Sequence, residues 1–126
     1  MNCLTIGNAR IVNKYLGFLT SDYHMNFRAS EIPNKTGVEN PTFIYSYYNP
    51  YGCFSLVEIM QRNEWDCYIS DSLSNDYMSM LSNKINQPLY LGVENIFTTR
   101  GFLKCLAKSI RTQIAEQGKF FSIELK

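Results

Sequence analysis

Four cysteines, Cys3, Cys53, Cys67 and Cys105, and a single histidine, His24, are the thiols and the imidazole from which a Cys–His nucleophile would have to be built. The cysteines are scattered with no CxxC pair, a spacing that argues against both a zinc cage and a dense disulfide framework. Cys53 and Cys67 fall inside runs patterned as strands, where cysteine acts as a small buried hydrophobe. His24 alternates with apolar neighbours and so points to the polar side of its segment. Reduced, structural thiols are expected. Glu58, in SLVEIM, and Asp66, across the following hairpin, could share a neighbourhood as an acid and base pair. Sheet-edge solvation accounts for them equally well, and the strand register decides between the two. Tyr45, Tyr47, Tyr48 and Tyr51 could stack nucleobases, but no Lys or Arg lies between Pro41 and Gln61 to hold the phosphates. Neither GxGxxG nor GxxxxGK[ST] occurs, so nothing implies a nucleotide, metal or other cofactor.

The elements that must position these groups centre on Thr42 to Ser70, which reads as three consecutive strands. The first closes at Asn49-Pro50-Tyr51-Gly52, where Pro50 presets φ for a turn and Gly52 is expected at the positive φ of a hairpin return. The second runs from Cys53 to Gln61, and the third alternates Trp65, Cys67 and Ile69 with Asp66, Tyr68 and Ser70. Upstream, Ile11, Val12, Tyr15, Leu16 and Leu19 form one helical stripe between Asn8, a candidate N-cap, and Thr20. Gly17 within it marks a close approach or an early helix end. Tyr23 to Ser30 alternates as a strand, and the proline- and asparagine-bearing segment 31–41 reads as a loop.

Beyond the meander, Leu73, Tyr77, Met80, Leu81 and Ile85 fall at helical spacing after Ser74, and Leu89 to Val93 reads as extended. Phe102, Leu103, Leu106, Ile110 and Ile114 define a long helix, capped by Thr98 or Thr99 and ended by Gly118 in the left-handed conformation. Lys119 to Lys126 alternates again and is expected to return to the sheet. The expectation is one α+β domain over residues 1–126, an antiparallel β-meander packed on one face by the N-terminal and C-terminal amphipathic helices.

Composition narrows the function classes. Twelve Lys and Arg against 11 Asp and Glu leave a formal charge of +1, without the broad positive field of a nucleic-acid or anionic-membrane binder. No run approaches the roughly 18 apolar residues of a membrane span. MNCLTIGNAR lacks the pattern of a secretion signal, so a cytoplasmic protein is expected. The 9 Tyr, 8 Phe and 1 Trp serve a core and a recognition surface equally well.

In layout, the helix-meander-helix order, with its YYNPYGCFSLVEI hairpin and its TTRGFLKCLAKSIRTQI helix, resembles small bacterial immunity proteins of contact-dependent inhibition and other polymorphic toxin systems. The resemblance rests on architecture and carries over no functional residue. It implies a cytosolic, non-enzymatic protein that binds and neutralises one cognate protein toxin, commonly by covering a nuclease or other active site. The alternatives are a small enzyme or ligand-binding domain and a structural or oligomer-forming domain. From hairpin and loop placement, the expected partner-binding residues are Tyr51, Glu64, Asp71, Asp76 and Tyr77, an acidic end suited to a basic substrate groove.

Overall fold

The computed structural model describes residues 6–32, 42–59, 64–70, 99–120 and 123–125. In order they form α1 (Ala9–Leu16), α2 (Phe18–Ser21), β1 (Asn26–Ile32), β2 (Thr42–Asn49), β3 (Gly52–Ile59), β4 (Glu64–Ser70), α3 (Thr99–Gln117), β5 (Lys119–Phe120) and β6 (Ile123–Glu124). The expected helix and extended segment between residues 71 and 98, and the loop before β2, lie outside the described residues.

β1 to β4 make one antiparallel sheet in sequence order, the meander that the turn signals implied, and the class is α+β. The pairing is continuous from Thr42↔Ile59 to Asn49↔Gly52, so alternate residues fall cleanly on two faces. One face carries the rows Ala29-Tyr45-Leu56-Cys67 and Phe27-Tyr47-Phe54-Ile69. These side chains join Val12 and Leu16 of α1, Leu19 of α2 and Leu103, Leu106 and Ile110 of α3 in a single core cluster. At one margin Trp65 stacks on Phe102 of α3 with ring centroids 5.4 Å apart. The centre of the second face is buried as well, with Ile44, Cys53, Val57 and Tyr68 around a Ser46–Ser55 hydroxyl pair at 2.9 Å. Burial on both faces explains why β2 and β3 read as nearly unbroken apolar runs rather than as a polar alternation.

The connections differ from the sequence expectation in ways that steric detail explains. The first helix is interrupted at Gly17, where an added Cβ would collide with the Asn13 carbonyl. Its continuation, α2, is followed by His24 at φ 59, whose N–H bonds the Thr20 carbonyl at 3.1 Å in a left-handed turn out of the helix. β1 therefore starts at Asn26, three residues later than the alternation from Tyr23 implied. Gly52 does not adopt positive φ. The hairpin is closed instead by Asn49, whose side-chain oxygen accepts the N–H groups of Tyr51 (2.8 Å) and Gly52 (3.1 Å). Gly52 is small for space, since a Cβ there would lie 3.0 Å from Ile123 Cγ1.

Gly118 takes φ 73 and donates to the Ile114 carbonyl at 2.8 Å, ending α3 as its sequence implied. The terminal segment does not rejoin the meander. β5 and β6 pair with each other, and Ile123 is buried beside the β2–β3 turn while Asn49 Nδ2 donates to the Glu124 carbonyl at 3.0 Å.

Leu106 and Ile110 are fully buried on α3 and Lys108 is exposed between them. Replacing either apolar residue by Ala should cost about 2–5 kcal/mol through the cavity left behind. Lys108→Ala should stay within about 0.5 kcal/mol of the parent in the same denaturant melts. A greater sensitivity at Lys108 would mean that the helix presents the wrong face.

Candidate functional site

Glu58 is the only buried carboxylate among the described residues, and its surroundings are built from three parts of the chain. Parity on β2 and β3 puts it on the same face as Phe43, directly opposite, and Tyr45, one diagonal step away. Gly7, at φ 50, turns the backbone entering α1 so closely over the sheet that a Cβ would overlap the Tyr45 hydroxyl and the Phe43 ring. That approach delivers Asn8. Its backbone N–H donates to Tyr45 Oη at 2.8 Å, and its side-chain amide donates to Glu58 Oε2. The Tyr45 hydroxyl in turn donates to Glu58 Oε1 at 2.7 Å. Asn8 thus sits at the N-cap position without making the side-chain cap expected there, and its side chain is turned to Glu58 instead. One turn along, Tyr47 donates its hydroxyl to Asn13 Oδ1 and ties the same helix to the same strand.

Burial pushes the Glu58 carboxyl above its usual range, while the hydrogen bonds from Tyr45 and Asn8 pull it back down. Burial also raises the Tyr45 hydroxyl, helped by its bond to Glu58, so it stays protonated and remains a donor. Both carboxylate oxygens receive a hydrogen bond and the tyrosine both donates and accepts. The arrangement serves to fasten the helix to the sheet. Asp66 cannot complete an acid and base pair with Glu58: Glu58 pairs with Trp65 and Asp66 with Val57, so the two carboxylates lie on opposite faces.

The thiols are separated in the same way. Cys67 lies on the core face and Cys53 on the second face, where its sulfur is 3.5 Å from Ser55 Oγ. Burial pushes Cys67 up to about 12 and also raises Cys53, leaving both poor nucleophiles at neutral pH. His24 is exposed on the α2–β1 connection, and the register brings neither strand thiol to it. Among the described residues no group of three His, Cys, Asp or Glu converges as a metal site.

Tyr45 and Tyr47 point inward and Tyr48 is half-buried on the second face, so the tyrosines do not form a stacking platform. Tyr51 stands apart from them. It is 49% exposed at the β2–β3 apex, the one exposed large hydrophobic side chain among the described residues. Glu64 opens β4 opposite Ile59, while Asp71, Asp76 and Tyr77 lie outside the described residues. The contact that sequence reasoning missed is Asn8 with Glu58, 50 positions apart. Gly7-Asn8 before an apolar stripe reads locally as a helix start, and nothing in that pattern names a partner on β3. Compared with protein-family models, curated proteins and solved structures, the chain matches none.

The raised Glu58 carboxyl gives a pH signature opposite to that of an ordinary paired carboxylate. Between the usual glutamate value of 4.5 and the higher value in the fold, the native state binds more protons than the unfolded chain. Glu58 therefore favours the fold most below that window, and its contribution declines as pH rises through it. In urea melts from pH 7 down to pH 4.5, the parent should gain stability relative to Glu58→Gln. A relative loss on acidification would show an ionised carboxylate stabilised by its donors.

Proposed function

We propose that this protein is a protein-binding inhibitor of the immunity class, which neutralises a cognate bacterial toxin by covering part of its surface inside the cell that makes both. The observation that carries this reading is the exposure of Tyr51 at the apex of a braced hairpin. Its strands are paired through the turn, Asn49 accepts two backbone N–H groups across it, and Ile123 packs beneath Gly52. A side chain with a large apolar body and a polar tip, held on a fixed tip, suits an interface anchor because little conformational entropy remains to be lost on binding. Glu64 starts the strand at the other end of the sheet, and together with Asp71, Asp76 and Tyr77 it completes the proposed contact set. The architecture, a meander with two amphipathic helices, adds the support of a resemblance in layout.

Co-expression with the product of the neighbouring upstream reading frame tests the proposal. A stable complex is expected, and Tyr51→Ala should weaken it by roughly tenfold or more, the usual effect of removing an aromatic anchor. Failure to form a complex removes the inhibitor reading. A complex of unchanged affinity in Tyr51→Ala removes the hairpin tip from the interface.

A further inference from the structure

The strongest charge feature among the described residues lies away from the hairpin tip. On α3, Arg100, Lys104, Lys108 and Arg111 follow one another at intervals of four, four and three, and all four are exposed. That spacing aligns them along one edge of the helix over roughly 16 Å. On α1, Arg10 and Lys14 are four apart and likewise exposed. α1 and α3 pack against each other, so these two helices together carry six of the twelve Lys and Arg residues in a chain whose formal charge is only +1.

Between the two helices runs an open groove of about 470 Å³. Lys14 borders it on the α1 side, and Lys104, Lys108 and Arg111 on the α3 side. The rest of its floor and sides is Tyr15, Ala107, Thr112 and Ala115, small or flat side chains between the cationic edges. No carboxylate is among the described residues lining it, and none of its bordering cations makes an ion pair among the described residues. Like charges one helical turn apart disfavour a helix by a few tenths of a kcal/mol each, so the stripe is a cost to α3 taken by itself. Arg111 is already ordered, its guanidinium centred 3.9 Å over the Phe18 ring, and needs little rearrangement to meet an anion.

We propose that this groove docks an acidic amphipathic helix of a protein partner, with carboxylates at three- and four-residue spacing set against Lys104, Lys108 and Arg111 and small apolar side chains set on the alanine floor. The proposal rests on the protein-binding reading above and deepens it, since it gives the partner a charge and a shape. A third helix fits a groove between two others by laying its ridge along it, which small floor residues permit. The alternative polyanion, single-stranded nucleic acid, needs open aromatic faces beside the cations. Here Phe18 is buried beneath Arg111, and Tyr15 is half-buried against the core. The near-neutral whole chain also lacks the general attraction that accompanies such binding. The sign of this surface is opposite to that of the proposed acidic contacts Glu64, Asp71 and Asp76, so the two would meet different parts of a partner.

The test uses the full chain and a fluorescent 18-residue helical peptide with Glu at three- and four-residue intervals on one face and Ala and Leu on the other. A Lys-for-Glu version of the peptide and a twelve-residue oligothymidylate are run beside it in anisotropy titrations. The acidic peptide is expected to bind, more weakly as salt rises, and Lys108→Glu should reduce its affinity at least fivefold. The same substitution places an acid between Lys104 and Arg111, so the free variant should melt at the parent's temperature or above it, which separates lost docking from lost fold. Tyr51→Ala should leave peptide binding unchanged. No binding of the acidic peptide, equal binding by Lys108→Glu, or tighter binding of the oligothymidylate would each overturn the proposal. The two readings fail separately: peptide binding without a toxin complex removes the inhibitor role and keeps the groove, whereas a complex indifferent to Lys108→Glu with no peptide binding does the reverse.

Discussion

A carboxylate inside an apolar core is tolerable only if its oxygens find donors there, and Glu58 finds them in Tyr45 and Asn8. That requirement constrains much of the molecule. It fixes the β2–β3 register, since a slip of one residue would turn Glu58 to the other face, away from Tyr45 and Asn8, and put Val57 in its place. It fixes the position of α1, because only a backbone passing as near as Gly7 allows can bring the Asn8 amide and N–H to the two acceptors. Hydrophobic burial supplies the bulk of the driving force, but burial is non-directional and would accept a sliding helix. The polar contacts, joined by Tyr47 with Asn13, are directional and select one placement.

That placement bears on the basic groove and leaves the hairpin tip to other contacts. α1 forms one wall of the basic groove, and Lys14 lies one residue beyond the Asn13 contact with Tyr47. The distance from the Lys14 edge to the Lys104–Lys108 edge is therefore set by the fastening of α1 to the sheet and by its packing on α3. The hairpin tip is held separately, by the Asn49 turn and the β5–β6 segment. Two surfaces supported by different contacts can change independently.

The strands and the long helix were legible in the sequence because their signals are local. Asn49-Pro50-Tyr51-Gly52 marks a hairpin whatever its surroundings, and the stripe from Phe102 to Ile114 with Gly118 at its end specifies both the face and the stop of α3. The Gly52 error came from reading a glycine as conformational when it is there for space against Ile123, a contact with a residue 71 positions away. His24 was misplaced on a strand because alternation over a few residues cannot see a left-handed cap. Asp66 and Glu58 looked like neighbours until register put them on opposite faces. The basic groove was not legible either, since Lys14 and Lys104 belong to helices that meet only in the fold and the net charge hides their concentration.

The claim that these polar contacts couple α1 to the sheet is most directly tested by a double-mutant cycle on stability at pH 7, with Asn8→Ala and Glu58→Ala made singly and together. A directional contact in a buried network predicts that the two changes are not additive, with a coupling energy of about 1–3 kcal/mol. Additivity within about 0.5 kcal/mol would mean that the Asn8 amide and the Glu58 carboxylate do not act on one another. The helix would then be held by apolar packing and by its contacts with Tyr45 and Tyr47, without the Asn8–Glu58 pair.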